Sequence, residues 1–225
     1  MQNRVRPPRA VSYLCPGLLS HEESFMNPAN MNKRNKRRVA IALYHRDRLS
    51  LGANRAKLGF EAYHWGILVM PKQSTSSTSR RTRRRHPLKC NAYDATDLPI
   101  IDPITRQDSN PNLEWFFRPQ HGIDPSATGR LIGRVIVGKL PPTTTDSDID
   151  ALLGKVPLPV KDASPPESCV TWAIRALGSL QAAGLAWQFD LDEFRDWALA
   201  YGDRCMANMG PDHVYEFPRQ PLAVG

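Results

Sequence analysis

The sequence predicts an α+β domain, an antiparallel sheet of about four to five strands packed against helices. Two observations carry this reading. Apolar runs of strand length dominate up to about residue 140, and beyond residue 145 the apolar spacing changes to three or four residues. Strands therefore come first and helices after, instead of alternating as a parallel sheet requires. At 225 residues and 41% hydrophobic content the chain can bury one sizeable core and still carry tails. Its 20 prolines imply many loops.

Residues 1–37 lack periodicity and carry Pro, Asn and charge, the composition of a disordered basic tail. Arg residues without an acid before Glu22 hint at a transit peptide, but Pro7 and Pro8 break an amphipathic helix. Met31, directly before the first basic run, is a candidate translation start. The domain is expected over 38–206. "RRVAIALYH" has the length of a buried strand, and "AYHWGILVM" is a second, stopped by Pro71. Residues 72–87, rich in Ser, Thr and Arg, read as a flexible basic insertion. "LKCNAYDAT" then resumes as the partner of a hairpin whose tip is that insertion. "LEWFFR" and "GRLIGRVIVGKL" add two strands, with Gly133 marking a bulge or a close backbone approach.

Three helices follow. "TTTDSDIDALLGKVP" is capped near Thr145 or Asp146 and ends before Pro157. "PPESCVTWAIRALGSLQAAG" repeats Val170, Ile174, Leu177 and Leu180, with Ser168 as N-cap and Gly184 as its stop. "DLDEFRDWALAYGDRCM" sets Leu191, Phe194, Trp197, Ala198 and Tyr201 on one face. Residues 207–225 read as a C-terminal tail.

The charge of +8 gathers in two runs, "NKRNKRR" and "SRRTRRR", and the rest of the chain is close to balanced. Such runs are solvated segments, import signals or sequence-independent phosphate contacts. No aromatic interleaves with them, so a stacking platform for single strands is missing. Cys15, Cys90, Cys169 and Cys205 show no two-residue gap of a zinc or redox motif, and reduced thiols are the default reading. No metal or cofactor is implied. No apolar run approaches the roughly 18 residues of a membrane span, and the chain reads as cytoplasmic, with the nucleus as a second address.

Three residues carry candidate chemistry. Cys169 falls in the first turn of the helix that Ser168 caps, where free N–H groups and the helix dipole favour a thiolate. His64 heads the second strand, beside the small Ala62 and Gly66, which leave room for a helix bearing Cys169. Asp94 lies within the apolar partner strand, where a carboxylate is costly to bury unless paired. It is therefore a better orienting group for an imidazole than Asp97 or Asp102 in the following loop. His45, His86 and His121 lack a supporting pattern.

"YHWGILV", a polar residue on the next strand and a Cys opening a helix together resemble the circularly permuted papain-like group. That group includes permuted NlpC-type peptidases, lecithin:retinol acyltransferase-like proteins and PPPDE peptidases. "VAIALYHR", "YHWGILVMPK", "NAYDAT", "LIGRVIVGKL" and "SCVTWAIRAL" are also similar, in order, to a fungal domain family with no assigned function, which tends to have His where Asp94 stands. The resemblance covers about residues 38–205. It implies a permuted papain-like fold with Cys169 as nucleophile, His64 as base and Asp94 in the third polar position. A cysteine-dependent hydrolase or acyltransferase acting on an amide, ester or thioester carbonyl is then expected, with an acyl or peptide-like substrate. The alternatives are a catalytically inactive binding or scaffold module of the same fold, or a basic nuclear protein associated with nucleic acid.

Overall fold

The computed structural model describes residues 37–72, 89–208 and 213–218. The expectations for the N-terminal tail, Met31, Cys15, His86 and nearly all of the basic insertion lie outside them. Among the described residues six strands and four α-helices follow in the order β1 (Arg38–His45), α1 (Gly52–Leu58), β2 (Tyr63–Met70), β3 (Cys90–Thr96), β4 (Phe116–Ile123), β5 (Leu131–Lys139), α2 (Asp146–Leu153), α3 (Cys169–Ala182), α4 (Leu191–Ala207) and β6 (Val214–Glu216). The strands form one open sheet in the order β4-β3-β2-β1-β5-β6. All neighbours are antiparallel except β5 and β6, which run parallel.

Alternation along the strands divides the sheet into two faces. Val39, Ile41 and Leu43 of β1, with Tyr63, Trp65, Ile67 and Val69 of β2, enter the main core beneath the helices. The helices supply Trp172, Ala173, Ala176, Leu177 and Leu180 from α3 and Phe194 and Ala198 from α4. Ala40, Ala42, Leu68, Met70 and Cys90 form a second, smaller core on the other face. His64, even-numbered in β2, stands on this second face, directly opposite Tyr44 of β1.

The sheet exceeds the four to five strands read from the sequence because β6 lies in the segment taken as a tail. Three residues paired on one side carry little periodicity, so only their partner β5 identifies them. β4 starts at Phe116 and runs on through Pro119 and Gly122, which read locally as loop; Pro is tolerated there because β4 is an edge strand. α1 lies in what reads as a polar connection. Its Arg55 clasps both carboxylate oxygens of Asp203 on α4, at 2.6 and 2.7 Å, and Tyr63 donates to the same carboxylate at 2.7 Å.

Gly133 lies at a bulge, the first of the two alternatives expected for it, and what crowds it are side chains of α4 and not another backbone. The β1–β5 register shifts between Leu43 and Tyr44, and a Cβ at Gly133 would lie 2.7 Å from Tyr201 Cε1 and 3.1 Å from Cys205 Sγ. Arg37, from the first basic run, is ion-paired with Asp146 at the head of α2, so part of that run belongs to the folded domain.

Candidate functional site

The β2–β3 ladder is short. It pairs Ile67 with Tyr93, Leu68 with Ala92 and Val69 with Asn91, and then ends. Below that point the start of β2 stays with β1, and Asp94, Ala95 and Thr96 stay with Arg118, Phe117 and Phe116 of β4. The sheet thus splays between β2 and β3, and α3 packs against both strands. A cleft of about 740 Å³ opens at the splay, lined by Tyr44, His64, Asp94, Arg118 and Cys169 among others. The 124–130 connection also lines the cleft. It links edge strand β4 to β5 and places Pro125, Thr128 and Arg130 there.

Cys169 is held at the head of α3 by a full capping box. The Ser168 hydroxyl accepts from the Val170 N–H, and Thr171 Oγ1 accepts from the Ser168 N–H at 3.2 Å. Glu167 fixes the approach to the cap, accepting from the Val160 N–H at 2.9 Å while paired with Arg175 about two turns into the helix. The thiol is nearly buried, at 3% exposure.

The His64 ring is gripped from one side. Nε2–H donates to Asp94 Oδ2 at 2.7 Å, and the Tyr44 ring lies 6.2 Å away, centroid to centroid. Burial alone would lower the His64 pKa. The charge of Cys169, hydrogen bonds to Asp94 and Cys169, and the charge of Asp94 outweigh it and raise the value from 6.5 to about 10. With Nε2 committed to Asp94, Nδ1 is the ring nitrogen left for another partner.

Asp94 has a second partner that no sequence pattern announced. Arg118 grips it with two parallel N–H···O bonds, Nε to Oδ1 at 3.0 Å and a terminal nitrogen to Oδ2 at 2.6 Å. Burial would raise the Asp94 pKa, but the His64 and Arg118 hydrogen bonds and charges hold it below the usual carboxylate range. The only signal for Arg118 was register: on an antiparallel pair it stands directly opposite Asp94.

The room beside Gly66 goes to β3 and not to the cysteine helix. A Cβ there would lie 3.1 Å from the Tyr93 carbonyl oxygen and 3.4 Å from Asp94 Cβ. Ala62 accepts a hydrogen bond from the Ser50 hydroxyl in a short connecting turn. Of the remaining candidates, His45 contacts the Gly129 carbonyl at the cleft wall, and His121 lies 3.3 Å from Asp150, away from the cleft. Asp97 lines the cleft, and Asp102 caps a turn. Cys90, Cys169 and Cys205 are free thiols. Among the described residues no group of three His, Cys, Asp or Glu side chains could hold a metal ion, and no helix is long and apolar enough to cross a membrane.

The profile of a family of unknown function, DUF6914, matches residues 36–209, which takes in every α-helix and all strands but β6. The chain belongs to that family. No curated protein and no solved structure matches it. In this DUF6914 chain the matched span contains His64, Asp94, Arg118 and Cys169 together.

Proposed function

We propose that the chain is a cysteine-dependent hydrolase or acyltransferase with a papain-like arrangement of its site. The observation that carries this reading is one imidazole, its Nε2 2.7 Å from a paired carboxylate, that lines the same cleft as a cysteine at a capped helix head. His64, its pKa raised to about 10, carries the Cys169 proton on Nδ1 as an imidazolium, and the thiolate attacks the carbonyl carbon of an amide, ester or thioester. The oxygen gains the electron pair of the C=O bond and faces the N–H groups at the start of α3. Collapse breaks the bond to the leaving group, which receives its proton from Nδ1. Water or another acceptor then attacks the thioester with His64 again as base, and Cys169 is regenerated. Asp94 keeps the ring in the tautomer that presents Nδ1 to sulfur and stabilises the imidazolium.

Competitive labelling with iodoacetamide tests it. Cys169 is expected to react faster than the buried Cys90 and Cys205, and His64→Ala to abolish that lead. Equal labelling of the three thiols would discard the enzyme reading. The burial of Cys169 favours one other reading, a binding module whose His64–Asp94–Arg118 network serves the fold alone. Under it, His64→Ala lowers stability and leaves the labelling order unchanged.

A further inference from the structure

Residues 97–115, between β3 and β4, form a loop closed on itself by polar side chains. Asn110, buried at its base, donates from Nδ2 to the carbonyls of Leu98 and Glu114 and accepts from the Glu114 N–H at 2.9 Å. Asp108 Oδ1 accepts from the N–H groups of Ile100 and Asn110, and Asp102 Oδ1 from those of Ile104 and Thr105. This internal network turns aliphatic side chains outward. Ile104 is 88% exposed, and Leu98, Ile100, Ile101 and Leu113 are between 42% and 52% exposed. A loop tied by its own hydrogen bonds that holds five aliphatic side chains in water marks a contact surface. It is continuous with the cleft, because Leu98 and Trp115 also line it.

The charge around these side chains selects the occupant. The loop carries Asp97, Asp102, Asp108 and Glu114 against the single cation Arg106, in a chain whose net charge is +8. Lys161 answers Glu114 at 3.5 Å, which still leaves an acidic rim. That rim repels an anionic bilayer surface. A symmetric dimer through the same patch would set acid against acid. A lone acyl chain finds no enclosure on an outward-facing loop.

We propose that the 97–115 loop is the docking surface for a polypeptide substrate whose aliphatic side chains are flanked by basic ones. The loop seats the apolar residues on Leu98, Ile100 and Ile104 and leads the chain past Trp115 into the cleft. This rests on the thiol chemistry above only in that the docked segment presents the carbonyl that Cys169 attacks.

Calorimetric titration of the full chain carrying Cys169→Ala, which cannot turn the peptide over, tests the proposal. The probes are a peptide alternating Leu and Arg and its Leu and Glu counterpart. The Leu–Arg peptide is expected to bind at least roughly tenfold more tightly despite the positive net charge, and Ile100→Asp with Ile104→Asp to remove about tenfold of that affinity. Both side chains are exposed, and circular dichroism checks that the double variant is folded. Equal affinity for the two peptides overturns the proposal. So does binding to phosphatidylserine vesicles that the double variant loses, or a dimer that it dissolves. Iodoacetamide labelling of the unsubstituted protein separates the two readings: an inert Cys169 removes the chemistry and leaves the peptide result standing.

Discussion

His64 and Asp94 meet at 2.7 Å across a gap in the sheet, on neighbouring strands whose hydrogen-bonded ladder has already ended at Ile67 and Tyr93. The side chains therefore join what the backbone does not, and the contact depends on how far β2 and β3 splay.

Gly66→Ala tests that dependence. The added methyl meets a backbone carbonyl at 3.1 Å and Asp94 Cβ at 3.4 Å, neither of which can swing away as a flexible side chain would. The expected cost is about 1–3 kcal/mol in urea unfolding, with the His64 ring resonances in NMR losing their Asp94-dependent shift. A variant as stable as the parent would show that β3 can retreat freely.

Asp94→Asn should lower the His64 pKa. It removes a hydrogen bond and a charge that both raise it, and burial, which lowers it, remains. NMR titration of the ring should show the midpoint move down from about 10. An unchanged midpoint would leave Cys169 as the dominant partner.

The same pair predicts how stability varies with pH. His64 has a folded pKa raised from 6.5 to about 10, so its contribution is full below 6.5 and is lost as pH rises through 10. The Asp94 pKa is depressed, so its contribution is present above the ordinary value of 3.8 and is lost on acidification below that. The urea midpoint should therefore fall between pH 7 and 10, and His64→Gln should flatten that decline.

Arg118→Leu leaves Asp94 with His64 as its side-chain partner. Losing a charge-assisted, two-pronged grip should cost about 2 kcal/mol and move Asp94 toward the ordinary carboxylate range. Lys at this position restores the charge without the planar geometry and should recover only part of the loss. Full recovery with Lys would make charge the whole contribution.

Ser168→Ala removes the side-chain acceptor at the head of α3. The expected cost is about 1 kcal/mol, with slower alkylation of Cys169 as the first turn frays. An unchanged labelling rate would show that Pro-rich residues 157–166 and Glu167 hold the helix head without the cap.

What the residues determined locally was read locally. The capping pattern around Ser168 and the three-to-four spacing behind it locate α3, because cap and helix are satisfied within a few residues of chain. The period-two run from Tyr63 to Met70 assigns His64 to a face for the same reason. Tertiary structure decided the rest, because it arises from contacts between residues distant in sequence. Arg118 reaches Asp94 only through the β3–β4 register, and β6 exists only beside β5. Gly66 is small for the sake of Asp94, which approaches it from another strand. Sequence grouped His64, Asp94 and Cys169 as one expected site; the splay of two strands and the docking of α3 against both are what bring them to one cleft.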